Sequence, residues 1–125
     1  MPAISRAFRP TPTAISRDAP VVVIGAGPVG LAAAAQLAQR GIPLRVFEAG
    51  AAVAAHVAGF GHVRLFSSWR YNIDRAARAL LQQEGWTPPP DDVLPTAGEL
   101  VADYLAPLAH SAALQPHIQY GARVV

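Results

Sequence analysis

The chain has 125 residues, the length of one ordinary domain, and 52% of them are hydrophobic, which supports a packed core and argues against overall disorder. Its formal charge is only +2 and its basic residues form no run, so the composition does not favour a nucleic-acid partner. The chain has no cysteine, which excludes disulfide bonds and cysteine-ligated metal sites.

Residues 1–19 are rich in proline, serine and arginine, and we predict a flexible, solvated tail for them, with a targeting signal as the alternative. The apolar stretch Ala19–Ala35 that follows resembles a signal peptide or a membrane anchor in outline. Its glycines and Pro28 interrupt the run, and it is shorter than the roughly 20 strongly apolar residues of a spanning helix. We therefore predict no membrane insertion and assign residues 20–125 to one domain.

The first part of that domain has the pattern of a β-α-β unit. Val21–Ile24 is a short apolar run that predicts a strand buried on both faces, as in the middle of a parallel sheet. A GxGxxG turn follows, and the helix predicted for Pro28–Arg40 has proline at its first position and a glycine after its last. The second predicted strand, Leu44–Glu48, ends on an acid.

Each glycine of the turn has a physical role in holding a dinucleotide. Gly25 allows a tight turn, Gly27 has no Cβ to keep a pyrophosphate from the backbone, and Gly30 lets the helix pack closely on the strand. The helix N-terminus offers N–H groups and the positive end of its dipole to the phosphates. Glu48 lies near the roughly 20-residue offset expected of a carboxylate that accepts hydrogen bonds from a ribose diol.

The residues after this acid bear on which dinucleotide binds. Ala49–Ala55 contain no arginine or lysine, so a 2′-phosphate on the ribose would meet the Glu48 carboxylate without a compensating cation. NADP is therefore not expected at this site.

Two further helices are predicted before the last strand. One runs from about Ile73 to Glu84, and the other begins at a capping box formed by Thr96 and Glu99. Pro107 is expected to kink this second helix or end it early. The histidines share no metal-ligand spacing, and we predict no metal site. They are His56, His62, His110 and His117.

Ile118–Val125 is the third predicted strand. The fold class is therefore α/β, a Rossmann-like parallel sheet with flanking helices, expected in the strand order 3-2-1 and incomplete at its C-terminus. A complete doubly wound sheet has a fourth strand beside the first, and without it the apolar edge of Val21–Ile24 would be left open. We expect the N-terminal piece of a longer protein or a truncated gene product.

The motif GAGPVGL, with Pro28 between its second and third glycines, resembles the FAD-binding opening of two-dinucleotide-domain flavoproteins. Similarity to the NAD(P)-binding flavoprotein oxidoreductases, which include flavin monooxygenase-like members, continues through FGHVRLFSSWRYNID (Phe60–Asp74) and LPTAGELVADYL (Leu94–Leu105). The absence of a redox-active cysteine pair separates the chain from the disulfide-reductase branch.

The resemblance implies the FAD-binding segment of a cytoplasmic, monooxygenase-like oxidoreductase that uses NAD(P)H as electron donor in its full-length form and acts on a small-molecule substrate. The chain alone is expected to be inactive, and no catalytic residue is predicted. The alternative is a non-catalytic NAD-binding or regulatory module, or an inactive truncated remnant. The predicted cofactor-binding residues are Gly25, Ala26, Gly27, Pro28, Val29, Gly30 and Glu48.

By the same resemblance, Arg64, Trp69 and Arg70 lie on the flavin side of the domain. Either they contact the flavin or its phosphates, or they form an aromatic plug flanked by solvated arginines, and the sequence leaves both interpretations open. The last strand is expected to pass the adenine, with the backbone of Val124 or Val125 in contact with it.

Overall fold

The computed structural model describes residues 19–125, so the tail predicted for residues 1–19 lies outside the described residues except for its last one. A π-helical turn, Val101–Leu105, joins the last two helices, and a 3-10 turn, Gln115–His117, leads into the last strand. The strands are β1 (Val21–Ile24), β2 (Leu44–Phe47) and β3 (Ile118–Gln119), and the α-helices are α1 (Pro28–Gln39), α2 (Ala55–Ala58), α3 (Trp69–Asn72), α4 (Arg75–Gln83), α5 (Ala97–Leu100) and α6 (Ala106–Ala109).

The three strands form one parallel sheet in the order β1-β2-β3, with Val23 opposite Val46 and Val46 opposite Ile118. This is the 3-2-1 order of a Rossmann-like sheet, and the predicted fold class is confirmed. Strand β1 lies at one edge of the sheet. Among residues 19–125 no strand pairs with its outer side.

The sheet has one covered face and one bare face. Val23, Val46 and Ile118 point to the covered face and join the hydrophobic core, to which α1 contributes Leu31. Val22 and Ile24 point the other way and are 50% and 67% exposed. The prediction that β1 is buried on both faces is therefore wrong for the described part of the chain, because its helices pack on the covered face.

Helix α1 agrees with its sequence signals to within one residue. Pro28 occupies the first helical position, and the helix ends just before Gly41, whose φ of +67° places it in the left-handed region. Ala34 and Ala35 are fully buried, since their small side chains let the helix lie close to the sheet.

Asp74 determines where α4 begins. Its side chain accepts a hydrogen bond from the N–H of Ala77 (3.0 Å), so the helix starts at Arg75 rather than at the predicted Ile73. The same carboxylate accepts a hydrogen bond from the side-chain amide of Gln36 (3.2 Å), which ties α4 to α1.

The C-terminal helical segment begins as predicted, with the Thr96 hydroxyl accepting a hydrogen bond from the N–H of Glu99 (3.1 Å). Of the two effects expected of Pro107, a kink or an early end, the early end is wrong, because the helix continues to Ala109. Pro107 has no N–H for the carbonyl of Asp103, four residues earlier, and the indole N–H of Trp86 donates to that carbonyl instead (3.0 Å). The π-helical turn directly before α6 accommodates the same break in the hydrogen-bond pattern.

Strand β3 is shorter than predicted and covers Ile118–Gln119 rather than Ile118–Val125. The extended conformation breaks at Gly121, whose φ is +64°. The chain nevertheless stays beside the end of β2, because the N–H of Ala122 donates to the carbonyl of Glu48 (2.9 Å).

The apolar stretch that resembled a membrane segment is divided into β1, the glycine turn and the start of α1. Across residues 19–125, no helix combines the length and the apolar character that crossing a membrane requires.

Candidate functional site

The glycine turn lies where the carboxyl ends of β1 and β2 meet. Gly25 has a φ of +98°, a conformation that side chains larger than hydrogen disfavour, and its N–H donates to the carbonyl of Phe47 (2.7 Å). The turn therefore begins while the chain is still bonded to β2, which places it at the edge of the sheet where ligands bind in open α/β folds.

Gly30 and Gly27 meet different requirements. A Cβ on Gly30 would lie 1.9 Å from the carbonyl oxygen of Gly25, so only glycine lets the first turn of α1 approach the end of β1 this closely. A Cβ on Gly27 would meet no heavy atom within 4 Å. The space in front of Gly27 is open, as the approach of a phosphate to the backbone requires.

The N-terminus of α1 faces the same open space. Its first intrahelical bond runs from the N–H of Leu31 to the carbonyl of Gly27 (2.9 Å), and no described side chain caps the helix. The early N–H groups and the helix dipole thus provide a partial positive charge for an anion. Val29, in this first turn, is 84% exposed, whereas Ala26 is fully buried.

The carboxylate of Glu48 lies against the turn. One of its oxygens, Oε1, accepts a hydrogen bond from the N–H of Ala26 (2.8 Å), and the other, Oε2, accepts one from the N–H of Gly50 (2.7 Å). Among residues 19–125 no cation forms an ion pair with this acid. An ionised carboxylate has about four acceptor positions. The two backbone bonds therefore leave one acceptor position on each oxygen.

The segment after β3 closes the other side of Glu48. The N–H of Gly121 donates to the carbonyl of Gly50 (2.9 Å), which holds the two loops together. Partial burial and, to a smaller extent, the negative charge of Glu48 raise the pKa of the Tyr120 hydroxyl. Val124 and Val125 are exposed at the end of this segment, and their predicted contact with adenine stays a prediction.

The aromatic and basic residues of the middle segment have protein partners. Trp69 is buried in the core, as the aromatic-plug interpretation expects. The guanidinium of Arg70 forms an exposed ion pair with Asp92 (2.9 Å), and that of Arg64 donates to the carbonyl of Leu94. Contact of the arginines with a flavin stays a prediction.

The histidines lie apart from the glycine turn in the sequence, and none of the four is buried. Within residues 19–125, no group of three or more histidine, cysteine, aspartate or glutamate side chains has the arrangement of a metal site.

A family model described as an NAD(P)-binding Rossmann-like domain matches residues 23–87, which is more than half of the chain. The chain belongs to this family. The matched segment contains the glycine turn and Glu48, the two features that the geometry brings together. No curated protein sequence matches the chain.

Solved structures of flavoproteins share the fold of this domain. An oxidised steroid monooxygenase bound to NADP is 28% identical with a TM-score of 0.63, and the match covers 83% of this chain and 19% of that one. OTEMO in complex with FAD and NADP is 24% identical with a TM-score of 0.64, covering 88% of this chain and 20% of that one. The resemblance to the FAD- and NAD(P)-binding flavoproteins is confirmed at the level of family and fold.

A third structure, the bacillithiol disulfide reductase of Staphylococcus aureus, is 20% identical with a TM-score of 0.58, covering 83% of this chain and 28% of that one. At these identities, the similarities to the reductase and to OTEMO show the fold alone. The domain spans about a fifth of the length of the steroid monooxygenase and of OTEMO.

The seven predicted cofactor-binding residues lie together in space, and two of their neighbours were missed. Residues 25–27 form the turn, residues 28–30 are the start of α1, and Glu48 bonds directly to the turn through Ala26. Sequence reasoning did not find Gly50, whose N–H donates to Glu48. It also did not find Tyr120, whose hydroxyl has its pKa raised by burial and, to a smaller extent, by the charge of that acid. A glycine two residues after the predicted ribose acid was a usable signal for the first, whereas Tyr120 has no pattern that points to it.

Proposed function

We propose that the chain is the FAD-binding segment of a flavin-dependent oxidoreductase. The observation that carries the proposal is the hydrogen bond from the N–H of Ala26 to the Glu48 carboxylate (2.8 Å). It places a candidate ribose-binding acid beside a candidate phosphate-binding turn. Ribose and pyrophosphate are adjacent groups in a dinucleotide, so the two contacts can be made by one ligand.

The phosphates would lie in front of Gly27, at the N-terminus of α1. Open space at this glycine and the partial positive charge of the helix end both suit a diphosphate. Because Gly30 allows close contact between α1 and β1, the helix N-terminus and the turn form one continuous surface.

The adenosine ribose would lie at Glu48, whose two remaining acceptor positions suit the two hydroxyl groups of a diol. FAD and NAD have this diol, whereas NADP has a phosphate on one of its oxygens and would bring negative charge to an acid with no described cation partner. The FAD and NADP in the OTEMO structure support FAD among the diol-bearing ligands.

In the full-length protein the bound flavin would transfer electrons from NAD(P)H to an acceptor, while the protein orients and polarises it. We infer a monooxygenase-like reaction on a small-molecule substrate in the cytoplasm. The structural match to the steroid monooxygenase supports the reaction class. The residues of this chain bind and orient the adenosine diphosphate half of the cofactor, and the chain by itself is proposed to be inactive.

Equilibrium titration with FAD, NAD and NADP tests the proposal, with Glu48→Gln as the variant and Glu99→Gln as the matched control. Glu99 is exposed and lies in the first turn of α5, so the control makes the same chemical change outside the site. Losing a charged acceptor for two hydroxyl groups should weaken FAD binding about tenfold or more in Glu48→Gln. The control should bind like the parent chain.

Two outcomes would contradict the proposal. A parent chain that binds NAD but not FAD would support the alternative of a non-catalytic NAD-binding or regulatory module. Equal FAD affinity in both variants would remove Glu48 from the site.

A further inference from the structure

Gly50 lies in the loop after β2, outside the glycine turn, yet it contacts the same acid. Its N–H donates to Oε2 of Glu48 at 2.7 Å, while the N–H of Ala26 donates to Oε1 at 2.8 Å. A carboxylate held by one such bond could still rotate about its last torsion. Two bonds, one to each oxygen, set the plane of the group.

The space around Gly50 admits no side chain. A Cβ at this position would lie 2.6 Å from the Cβ of Ala55 and 3.1 Å from Oε2 of Glu48. The first distance is shorter than real Cβ contacts, so the loop would have to move, and the N–H that holds Glu48 would move with it. The backbone of Gly50 is not in the left-handed region. The requirement for glycine at this position therefore comes from the close approach of Ala55 and Glu48 and not from the backbone conformation.

We propose that Gly50 is a positioning residue that orients the Glu48 carboxylate for recognition of a ribose diol. This inference rests on the proposed function and deepens it. With Ala26 and Gly50 each occupying one acceptor position, the remaining positions are divided evenly between the two oxygens. Each oxygen can then accept one hydroxyl group of the ligand, which makes the site sensitive to the loss of either hydroxyl.

The effect of Gly50 extends to the segment after β3. Its carbonyl accepts a hydrogen bond from the N–H of Gly121 (2.9 Å), and the N–H of Ala122 donates to the carbonyl of Glu48 (2.9 Å). A shift of the loop at Gly50 therefore disturbs the orientation of the acid and the adjoining segment together.

The test compares the affinities of ADP and 2′-deoxy-ADP for the full 125-residue chain, measured by NMR titration, which also detects weak binding. The parent chain should prefer ADP about tenfold, because one hydroxyl donates to a charged acceptor. In Gly50→Ala the preference should fall to about twofold or less, with most of the change in ADP affinity. The matched control is Gly59→Ala, where a Cβ would come no closer than 3.3 Å to another heavy atom and the φ is −63°.

A second variant keeps the test decisive if Gly50→Ala folds poorly. Adding Ala55→Gly to Gly50→Ala removes the methyl group that the new Cβ would meet at 2.6 Å. Compared with a poorly folded Gly50→Ala, this double variant should show the dispersed amide signals of a folded chain and part of the preference for ADP. Without ligand, the amide protons of Gly50 and Ala26 should both lie further upfield in Glu48→Gln than in the parent chain, because a carboxylate is a stronger acceptor than an amide.

The outcomes separate the two proposals. If Gly50→Ala and the double variant keep the parent chain's ratio of ADP affinity to 2′-deoxy-ADP affinity, the positioning role of Gly50 is overturned. The proposal of FAD binding is not affected by that result. If the parent chain binds neither ligand, the proposed function fails and the positioning role fails with it.

Discussion

The two faces of the three-stranded sheet carry similar residues in different surroundings. On the covered face Val46 is fully buried under α1, whereas on the bare face Val22, one strand away, is 50% exposed. Both are valines in parallel strands, so hydrophobicity alone does not distinguish them. Whether a strand residue is buried therefore depends on whether a layer of helices covers its face of the sheet. The apolar pattern of a strand shows only that its faces can be buried.

The site belongs to neither face. It lies at the carboxyl ends of β1 and β2, where Gly25 and Glu48 are held mainly by backbone hydrogen bonds. We expect binding to respond to changes in the two loops, and stability to respond to changes in the covered layer.

The largest expected difference between the faces is in the cost of removing a large side chain. Leu31→Ala, in the covered layer, should lower the free energy of unfolding by about 2–5 kcal/mol, because Leu31 is fully buried. Ile24→Ala, on the bare face, should cost less than about 1 kcal/mol, since most of its side chain already contacts water. Urea denaturation of both variants measures this.

Similar losses in the two variants would break the comparison. They would mean that the bare face is covered in solution, and a dependence of the unfolding midpoint on protein concentration would then identify a second copy of the chain as the cover.

A smaller effect tests whether the hydrogen bond from Trp86 to the carbonyl of Asp103 compensates for the missing N–H of Pro107. Trp86→Phe removes the donor to the Asp103 carbonyl and should cost about 1 kcal/mol of unfolding free energy. In a Pro107→Ala background the substituted residue supplies a backbone N–H, so the same Trp86→Phe change should cost less. A double-mutant cycle by urea denaturation gives the difference, and equal costs in both backgrounds would show that the indole bond does not compensate for the proline.

The smallest effect concerns pH. Burial, the largest cause, raises the pKa of the Tyr104 hydroxyl, and the charge of Asp74 adds to the rise, against a hydrogen bond from the backbone of Asp74 that lowers it. Because the pKa is higher in the folded chain, this residue contributes stability that is complete below about pH 10 and is lost as the pH rises through the folded value.

The expected loss has a slope of at most about 1.4 kcal/mol per pH unit for one group. Urea denaturation between about pH 9 and 11 should show a shallower decline for Tyr104→Phe than for the parent chain. Tyr120→Phe is the comparison at the site, where the raised pKa predicts the same sign. If the stability of both variants declines with pH as steeply as that of the parent chain, neither tyrosine has the raised pKa described above.

The β-α-β unit could be predicted from the sequence because its signals are local. Pro28 begins α1, and Gly41 follows its end. The backbone conformation of Gly25, the open space at Gly27 and the close packing at Gly30 agree with the roles predicted for these glycines. The position of Glu48 beside the turn was also predictable, since the ends of adjacent parallel strands lie together. The assignment of these residues to a cofactor is still a prediction.

The later segments were harder to predict. Pro107 alone indicates a kink or an end of the helix, and only the fold brings Trp86 to the carbonyl that the proline leaves without a partner. Gly121 interrupts a strand that the apolar pattern extended to Val125. In both places a contact with a residue distant in the sequence, or a single backbone conformation, outweighed the local pattern.

The sequence by itself determined the parallel β-α-β unit and its glycine turn, because short-range sterics and periodicity specify them. Only the tertiary structure decided which face of β1 is covered, how the helix continues past Pro107, and that Gly50 shares Glu48 with the turn. These three features depend on the distance between residues far apart in the chain, and the order of the residues does not contain that distance.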